Sequence, residues 1–253
     1  MSSCVKVQIA LTLAILVSLP AAALDCETSW SKLANGLDYR KITCLGETDA
    51  TDLHVVRIDP EDWKFNTAVS EITTARAIAD SKDAAFAINT NFFDKNRRGI
   101  GLIVRNGEEV RAAAESSWQS IFLIDEKDRA RIILPDKWSD YRDRTVAAVQ
   151  AGPRLVIDSH VSGARNNYRA ERVGVCIQSD GDLLFFATPR DRKLHVRETA
   201  RIAQRSEKEG GLACNDAMLF DGGHSVNFFV DGKGKEVSIS NGRVPVFLYA
   251  TKK

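Results

Sequence analysis

Short apolar runs, each cut within a few residues by a turn signal, fill the chain from His54 to its end, and that pattern commits it to a strand-rich fold. His54 to Ile58, Ala84 to Ile88 and Val146 to Gln150 are expected strands, and Arg154 to Ile157 follows Gly152-Pro153. Four pairs fit hairpins. Gly101 to Arg105 and Glu108 to Ala112 flank Asn106-Gly107, a strong two-residue turn. Ser120 to Asp125 and Arg131 to Leu134 flank Lys127-Asp128. Val173 to Gln178 and Leu183 to Ala187 flank Ser179-Asp180-Gly181, and Val226 to Val230 and Glu236 to Ile239 turn at Asp231-Gly232. Pro245 marks the last strand, Val244 to Ala250, as edge-like. Helical periodicity is confined to Thr73–Lys82 and Val196–Lys208, the second stopped by Gly210-Gly211. With no linker or repeat, this predicts one α+β domain, a strand-rich mixed sheet covered by few helices, over residues 50–253.

The amino terminus has a different character. Lys6 is the only charge before Asp25, the run from Val7 to Leu19 is almost wholly apolar, and Ala21-Ala22-Ala23 supplies small residues for cleavage. Residues 1–23 are expected to be a signal peptide, since the run falls short of the ~20 residues a bilayer span needs. The mature protein is then secreted or periplasmic, with no membrane association after cleavage. Removing Lys6 leaves 34 basic residues (35 minus 1) against 34 acidic ones, so no bulk field draws it to nucleic acid or to anionic lipid. Cys26, Cys44, Cys176 and Cys214 remain, an even count that suits two disulfides in an exported chain. Of the three pairings, Cys26–Cys44 and Cys176–Cys214 are favoured, the first closing an N-terminal hairpin and the second tying a strand to a helix end. Residues 24–49 are read as a disulfide-held appendage. No CxxC pair occurs, which disfavours zinc or thioredoxin-like chemistry.

In four segments a strand runs into a tight, polar or glycine-bearing stretch: AINTNFFD from Ala87, QAGPRLVID from Gln150, RAERVGV from Arg169 and LFDGGHS from Leu219. If these ends meet, Asn89, Asn91, Asp94, Arg172, Asp221, His224 and Ser225 share one rim. A glycine pair such as Gly222-Gly223 lets the backbone approach a ligand and present its N–H groups.

Together the blocks NTNFFD, GLIVRNGE, GPRLVID, RVGVCIQSDGDLLFF and LFDGGHS, in that order, resemble the phosphodiester glycosidase family over Ala84 to Val230. In the animal branch the resemblance implies removal of N-acetylglucosamine from a phosphodiester. Asn89 matches the family's first Asn, Arg172 its Arg before an apolar-Gly strand, and Asp221, Gly222, Gly223 and Ser225 its final turn. Asn91 and His224 stand where the family has Gly, and Ala187-Thr188-Pro189-Arg190 replaces an Asp-Gly pair of the animal branch. The last of these departures points to a bacterial-type branch, whose sugar specificity the resemblance does not supply.

The chemistry implied is hydrolysis of a small-molecule or glycan phosphodiester. A phosphate monoester is a good leaving group and needs a cation more than a proton, which suits Arg172. Asp221 is the carboxylate expected to activate water or to attack the anomeric carbon. Asp94 and Glu171 are unranked second carboxylates. Asn89, Asn91, Gly222, Gly223, His224 and Ser225 are expected to bind substrate. No organic cofactor is implied, and His54, His160 and His195 share no metal-ligand spacing, so no metal site is assigned, although a divalent cation beside Asp221 is left open. Phe92, Phe93, Phe228 and Phe229 are assigned to the core. A serine hydrolase is disfavoured because GGHSVN lacks the glycine after the serine that a nucleophile elbow needs. A non-catalytic carbohydrate- or envelope-binding module using the same rim is the other reading.

Overall fold

A computed structural model of the 253-residue chain describes residues 26–27, 29–45, 50–164 and 168–253, with side chains from residue 29 on except 44–51. The expected signal peptide lies outside the described residues. Among those described, no helix is long and apolar enough to cross a membrane.

Among the described residues, three sheets form the α+β domain and every strand pairing is antiparallel, where a single mixed sheet was expected. The nine-stranded sheet runs Cys26–Glu27, Leu37–Leu45, Ala50–Ile58, Leu183–Ala187, Val173–Gln178, Cys214–Leu219, Arg154–Ile157, His160–Val161, with Ser31–Ala34 paired to Leu37–Leu45. The second is ordered Ala130–Ile133, Ser120–Asp125, Thr145–Ala151, Ile103–Arg105, Glu108–Arg111. The third is ordered Lys235–Ser240, Asn227–Gly232, Phe86–Asn89, Val244–Lys252, Trp63–Thr73. Parallel pairing needs long crossovers, whereas this chain mostly returns through tight turns.

Strand alternation decides which sheet face is shared. In Leu183–Ala187, the residues Leu183, Phe185 and Ala187 point into a core common to all three sheets, while Leu184 and Phe186 face outward under a helix. Both faces are covered, which explains an unbroken apolar run. Phe185 lies at the junction: its ring centroid is 5.7 Å from Phe65, 4.8 Å from Phe86 and 6.1 Å from Phe122, so rings from the three sheets meet there. Helix Val196–Gln204 covers the outer face of the nine-stranded sheet with Val196, Ala200 and Ala203. Helix Ala75–Lys82 covers the third sheet with Ala75, Ile78 and Ala79. Thr74 caps this helix, its hydroxyl accepting from the Ala77 N–H, and Asp83 ends it in the left-handed region.

Several expectations are corrected by pairing. The last strand is interior, between Phe86–Asn89 and Trp63–Thr73, and Pro245 is tolerated because the register shifts between Val244 and Val246. The final hairpin pairs Gly232 with Lys235, so its turn is Lys233-Gly234, both at positive φ, two residues beyond the expected one. Helix Val196–Gln204 stops at Arg205, ahead of Lys208, and the chain turns back against itself: a Cβ on Gly211 would lie 2.1 Å from the Arg205 carbonyl oxygen. Of the segment read as an appendage, the described residues supply Cys26–Glu27, Ser31–Ala34 and Leu37–Leu45 to the nine-stranded sheet. Leu37–Leu45 pairs along all of Ala50–Ile58, and Leu33, Leu37 and Tyr39 enter the shared core.

Cys176 and Cys214 form a disulfide with Cα atoms 5.4 Å apart. Cys214 opens a strand neighbouring that of Cys176, so the bridge joins two strands of one sheet, where a link from strand to helix end was expected. The backbone register sets Cys26 opposite Cys44, whose side chains lie outside the described residues.

Because Phe185 joins three sheets, Phe185→Ala should cost about 3–5 kcal/mol. Urea unfolding should show one lowered midpoint, and a loss confined to one sheet would contradict the shared core.

Candidate active site

The strand Cys214–Leu219 carries the chain to the site, and backbone bonds to its neighbouring strand and to the loop after Phe86–Asn89 fix its end. Phe220 donates its N–H to the Val173 carbonyl at 2.8 Å, and Asp221 donates to the Thr90 carbonyl at 2.9 Å. The Asp221 carbonyl accepts from Asn89 Nδ2 at 2.7 Å, and Asn89 Oδ1 accepts the Asn227 N–H at 2.8 Å. One buried amide therefore spans the turn, holding its entry and its exit. Gly223 donates to the Glu171 carbonyl at 2.9 Å, and Ser225 to the Gly222 carbonyl at 3.1 Å. Glycine is needed at 222 because a Cβ there would sit 2.5 Å from the Glu171 carbonyl oxygen, and at 223 because φ is +61°.

Arg172 reaches the same place from the start of Val173–Gln178, since Gly174 pairs with Leu219 across the ladder. Its side chain is buried. Nε donates to the Leu194 carbonyl at 2.8 Å and Nη2 to the Tyr168 carbonyl at 3.1 Å, while the guanidinium carbon lies 5.7 Å from the Tyr168 ring centroid. Burial lowers its pKa from the usual value, with Tyr168 first among the groups opposing that shift.

A pocket of about 580 Å³ opens where these strand ends meet. Asp221 is the only acid among its described lining residues, and Arg154 and Arg172 are the cations. Burial pushes the Asp221 carboxyl up to about 6, against the opposing pull of a hydrogen bond from the Ser225 side chain. Arg154 is also paired with Asp216. Phe92 and Trp118, with ring centroids 5.4 Å apart, form part of the wall.

The sequence-derived residues divide between this pocket and its supports. Asp221, Arg172, Gly222 and Gly223 line it. Ser225 acts on the Asp221 carboxylate from outside the lining, and His224 is exposed beyond it. Asn89 is a buried brace, and so is Asn91, whose Nδ2 donates to the carbonyls of Ile100 and Leu102 at 2.9 and 3.0 Å. Neither amide lines the pocket. Of the backbone donors expected to face a ligand, those of Asp221, Gly223 and Ser225 are used internally. Asp94 accepts from the N–H groups of Asn96 and Arg98 within its own loop, the Arg98 bond leading in holding its carboxyl below the usual range. Glu171 Oε1 accepts the Asp191 N–H at 3.1 Å. Neither acid lines the pocket. Phe92 is a wall residue and not simply core, whereas Phe228 and Phe229 are buried. Sequence reasoning missed Arg154, although it lies inside the quoted GPRLVID block, and Trp118 and Tyr168, which sit in polar loops with no motif to mark them. Among the described residues, no three His, Cys, Asp or Glu side chains gather as metal ligands.

The fold and pocket define an α+β protein with an enzyme-like cleft at converging strand ends. The chain belongs to the phosphodiester glycosidase family, a family of hydrolases, whose model matches residues 82–250. No curated protein matches its sequence. The fold is similar to the zebrafish N-acetylglucosamine-1-phosphodiester alpha-N-acetylglucosaminidase catalytic domain auto-inhibited by its pro-peptide, with TM-score 0.66, 11% identity, and coverage of 92% of this chain and 85% of that one. A hypothetical protein from Synechocystis gives TM-score 0.62 at 12% identity over 87% of this chain, which spans 62% of that protein's length. A protein from Burkholderia pseudomallei gives TM-score 0.51 at 14% identity, covering 79% of this chain and 74% of the other. At these identities the structural likeness establishes the fold.

Raising the Asp221 pKa from 3.8 to about 6 has a thermodynamic consequence. Between these values the folded state keeps a proton that the unfolded chain has released, so this group's contribution to stability falls as pH rises. Asp221→Asn should fold and, at pH 7, be more stable than the parent by on the order of 2 kcal/mol, allowing for partial exposure. Denaturation at pH 4 and pH 7 should show the gap closing at the lower pH. An Asn variant less stable at both values would contradict the burial cost assigned to this carboxylate.

Proposed function

We infer that this protein is an exported hydrolase that cleaves a sugar–phosphate diester at the anomeric carbon, with Asp221 as base or nucleophile and Arg172 as phosphate ligand. The observation that carries the reading is the charge inventory of the pocket's described lining: one carboxylate with a raised pKa faces a site where the described residues also place two guanidinium groups. Glycosidases that expel an alcohol generally use a second carboxyl group as acid. A phosphate monoester leaves without that help if a cation takes its charge, so a one-acid pocket suits a phosphodiester better than an ordinary glycoside. Family membership supports the same bond type, and the zebrafish enzyme's substrate makes N-acetylglucosamine 1-phosphodiesters the first compounds to test. The disulfide Cys176–Cys214 supports an oxidising compartment.

Each residue has a distinct task in this reading. Asp221, ionised above about pH 6, accepts a proton from the attacking water or itself bonds to the anomeric carbon. Ser225 orients its carboxylate. Arg172, held by Leu194 and Tyr168, presents a fixed guanidinium to the departing phosphate. Asn89, by bracing the Asp221 backbone, is a positioning residue and not a substrate ligand.

Release of free sugar from N-acetylglucosamine 1-phosphodiesters tests this directly. The parent should turn over, with kcat/KM rising through a limb near pH 6. Asp221→Asn should lose about 10²–10⁴-fold. Arg172→Lys, which keeps the charge but loses the planar fork, should lose on the order of 10-fold or more while circular dichroism stays unchanged. Binding without turnover in the parent, with little loss in Asp221→Asn, would favour the carbohydrate-binding reading.

A further inference from the structure

The described residues leave eight large hydrophobic side chains exposed, and four of them gather around this one pocket. They are Trp118, Leu134, Ile157 and Tyr168, with 53%, 47%, 38% and 63% of their surface accessible. They come from separate segments, so only the fold brings them together. Clustered apolar side chains at a surface mark a ligand or partner site. Sugar rings could use the faces of Trp118 and Tyr168. Leu134 and Ile157 offer neither a π face nor a polar group, and suit only hydrocarbon.

The apolar path continues past the pocket. A second groove, of about 550 Å³, shares Ser117 and Leu134 with the first, and Ala113, Ala114 and Pro135 line it beyond them. Glu115 and Asp136 stand in the same groove. Their charges repel a polyanionic chain and are indifferent to an alkyl one.

We propose that the substrate is amphiphilic: a sugar phosphodiester whose second ester oxygen carries a single long hydrocarbon chain, laid across Trp118, Leu134, Ile157 and Tyr168 towards the adjoining groove. This rests on the hydrolase reading above. With Asp221 as base, the oxygen of water bonds to the anomeric carbon, and the bond from that carbon to the phosphate oxygen breaks. The bonding pair leaves with the lipid phosphate monoester, and the water proton passes to Asp221. Free sugar and lipid phosphate are the products. One groove accommodates one chain, which favours a single-chain ester over a two-chain glyceride.

N-acetylglucosamine 1-phosphodiesters bearing methyl, farnesyl or dihexanoylglyceryl groups, used below their aggregation concentrations, test the proposal. Each buried methylene is worth about four-fold, so kcat/KM for the farnesyl ester should exceed that for the methyl ester by at least ten-fold. Leu134→Ser and Ile157→Ser should each reduce that ratio several-fold. The ratio is internal to each variant, so a general loss of turnover does not move it. A parent ratio near one, or a ratio unchanged in both variants, overturns the proposal, and a glyceride ester preferred over the farnesyl ester overturns the single chain. If no ester is cleaved, the hydrolase reading fails, and calorimetric binding to Asp221→Asn then decides the role of the four apolar side chains separately. Tighter binding of the farnesyl ester supports it, and equal binding of farnesyl and methyl esters overturns it.

Discussion

Three sheets close on one another through aromatic contact at Phe185, and the pocket exists because they do. The packing continues towards the site: Phe122, which touches Phe185, has its ring centroid 6.4 Å from that of Phe220, the residue before Asp221. The burial that stabilises the domain therefore also sets the environment of the acid. A carboxylate placed at the edge of such a core gives up some of its hydration, and its pKa rises for that reason. Folding energy and proton affinity are here two effects of one arrangement.

Much of this was legible in the sequence where a local rule governs. The hairpin Val173–Gln178 with Leu183–Ala187 falls on its expected bounds, and Asn106 and Gly107 both take the positive φ that their turn demands. The ordered blocks also placed Arg172 and Asp221 at one rim, because each ends or begins a strand and the strands are neighbours. Properties set by distant partners were not legible. Pro245 looks like an edge signal, and only the strands on both sides of it and the register shift beside it show otherwise. Trp63–Thr73 went unrecognised because its apolar residues are diluted by Lys64, Asn66, Thr67 and Ser70.

The roles of the two asparagines illustrate a deeper ambiguity. A side-chain amide can bind a sugar hydroxyl or a peptide group equally well, and sequence does not distinguish the two. In the fold, Asn89 and Asn91 are both used on backbone partners. Trp118 and Tyr168 present the converse case, since loop sequences do not reveal the cavity towards which they lean. The site thus combines residues legible by order with walls legible only in three dimensions.

The disulfide ties Cys176, midway along a two-strand ladder, to Cys214 at the end away from Arg172 and Asp221. The arrangement is that of tongs riveted behind the jaws. The covalent link is remote from the chemistry, yet it limits how far the two strands can slide past one another, and so how far the gap between the jaws can drift. Until the two thiols are joined, the jaws keep their spacing by hydrogen bonds and packing.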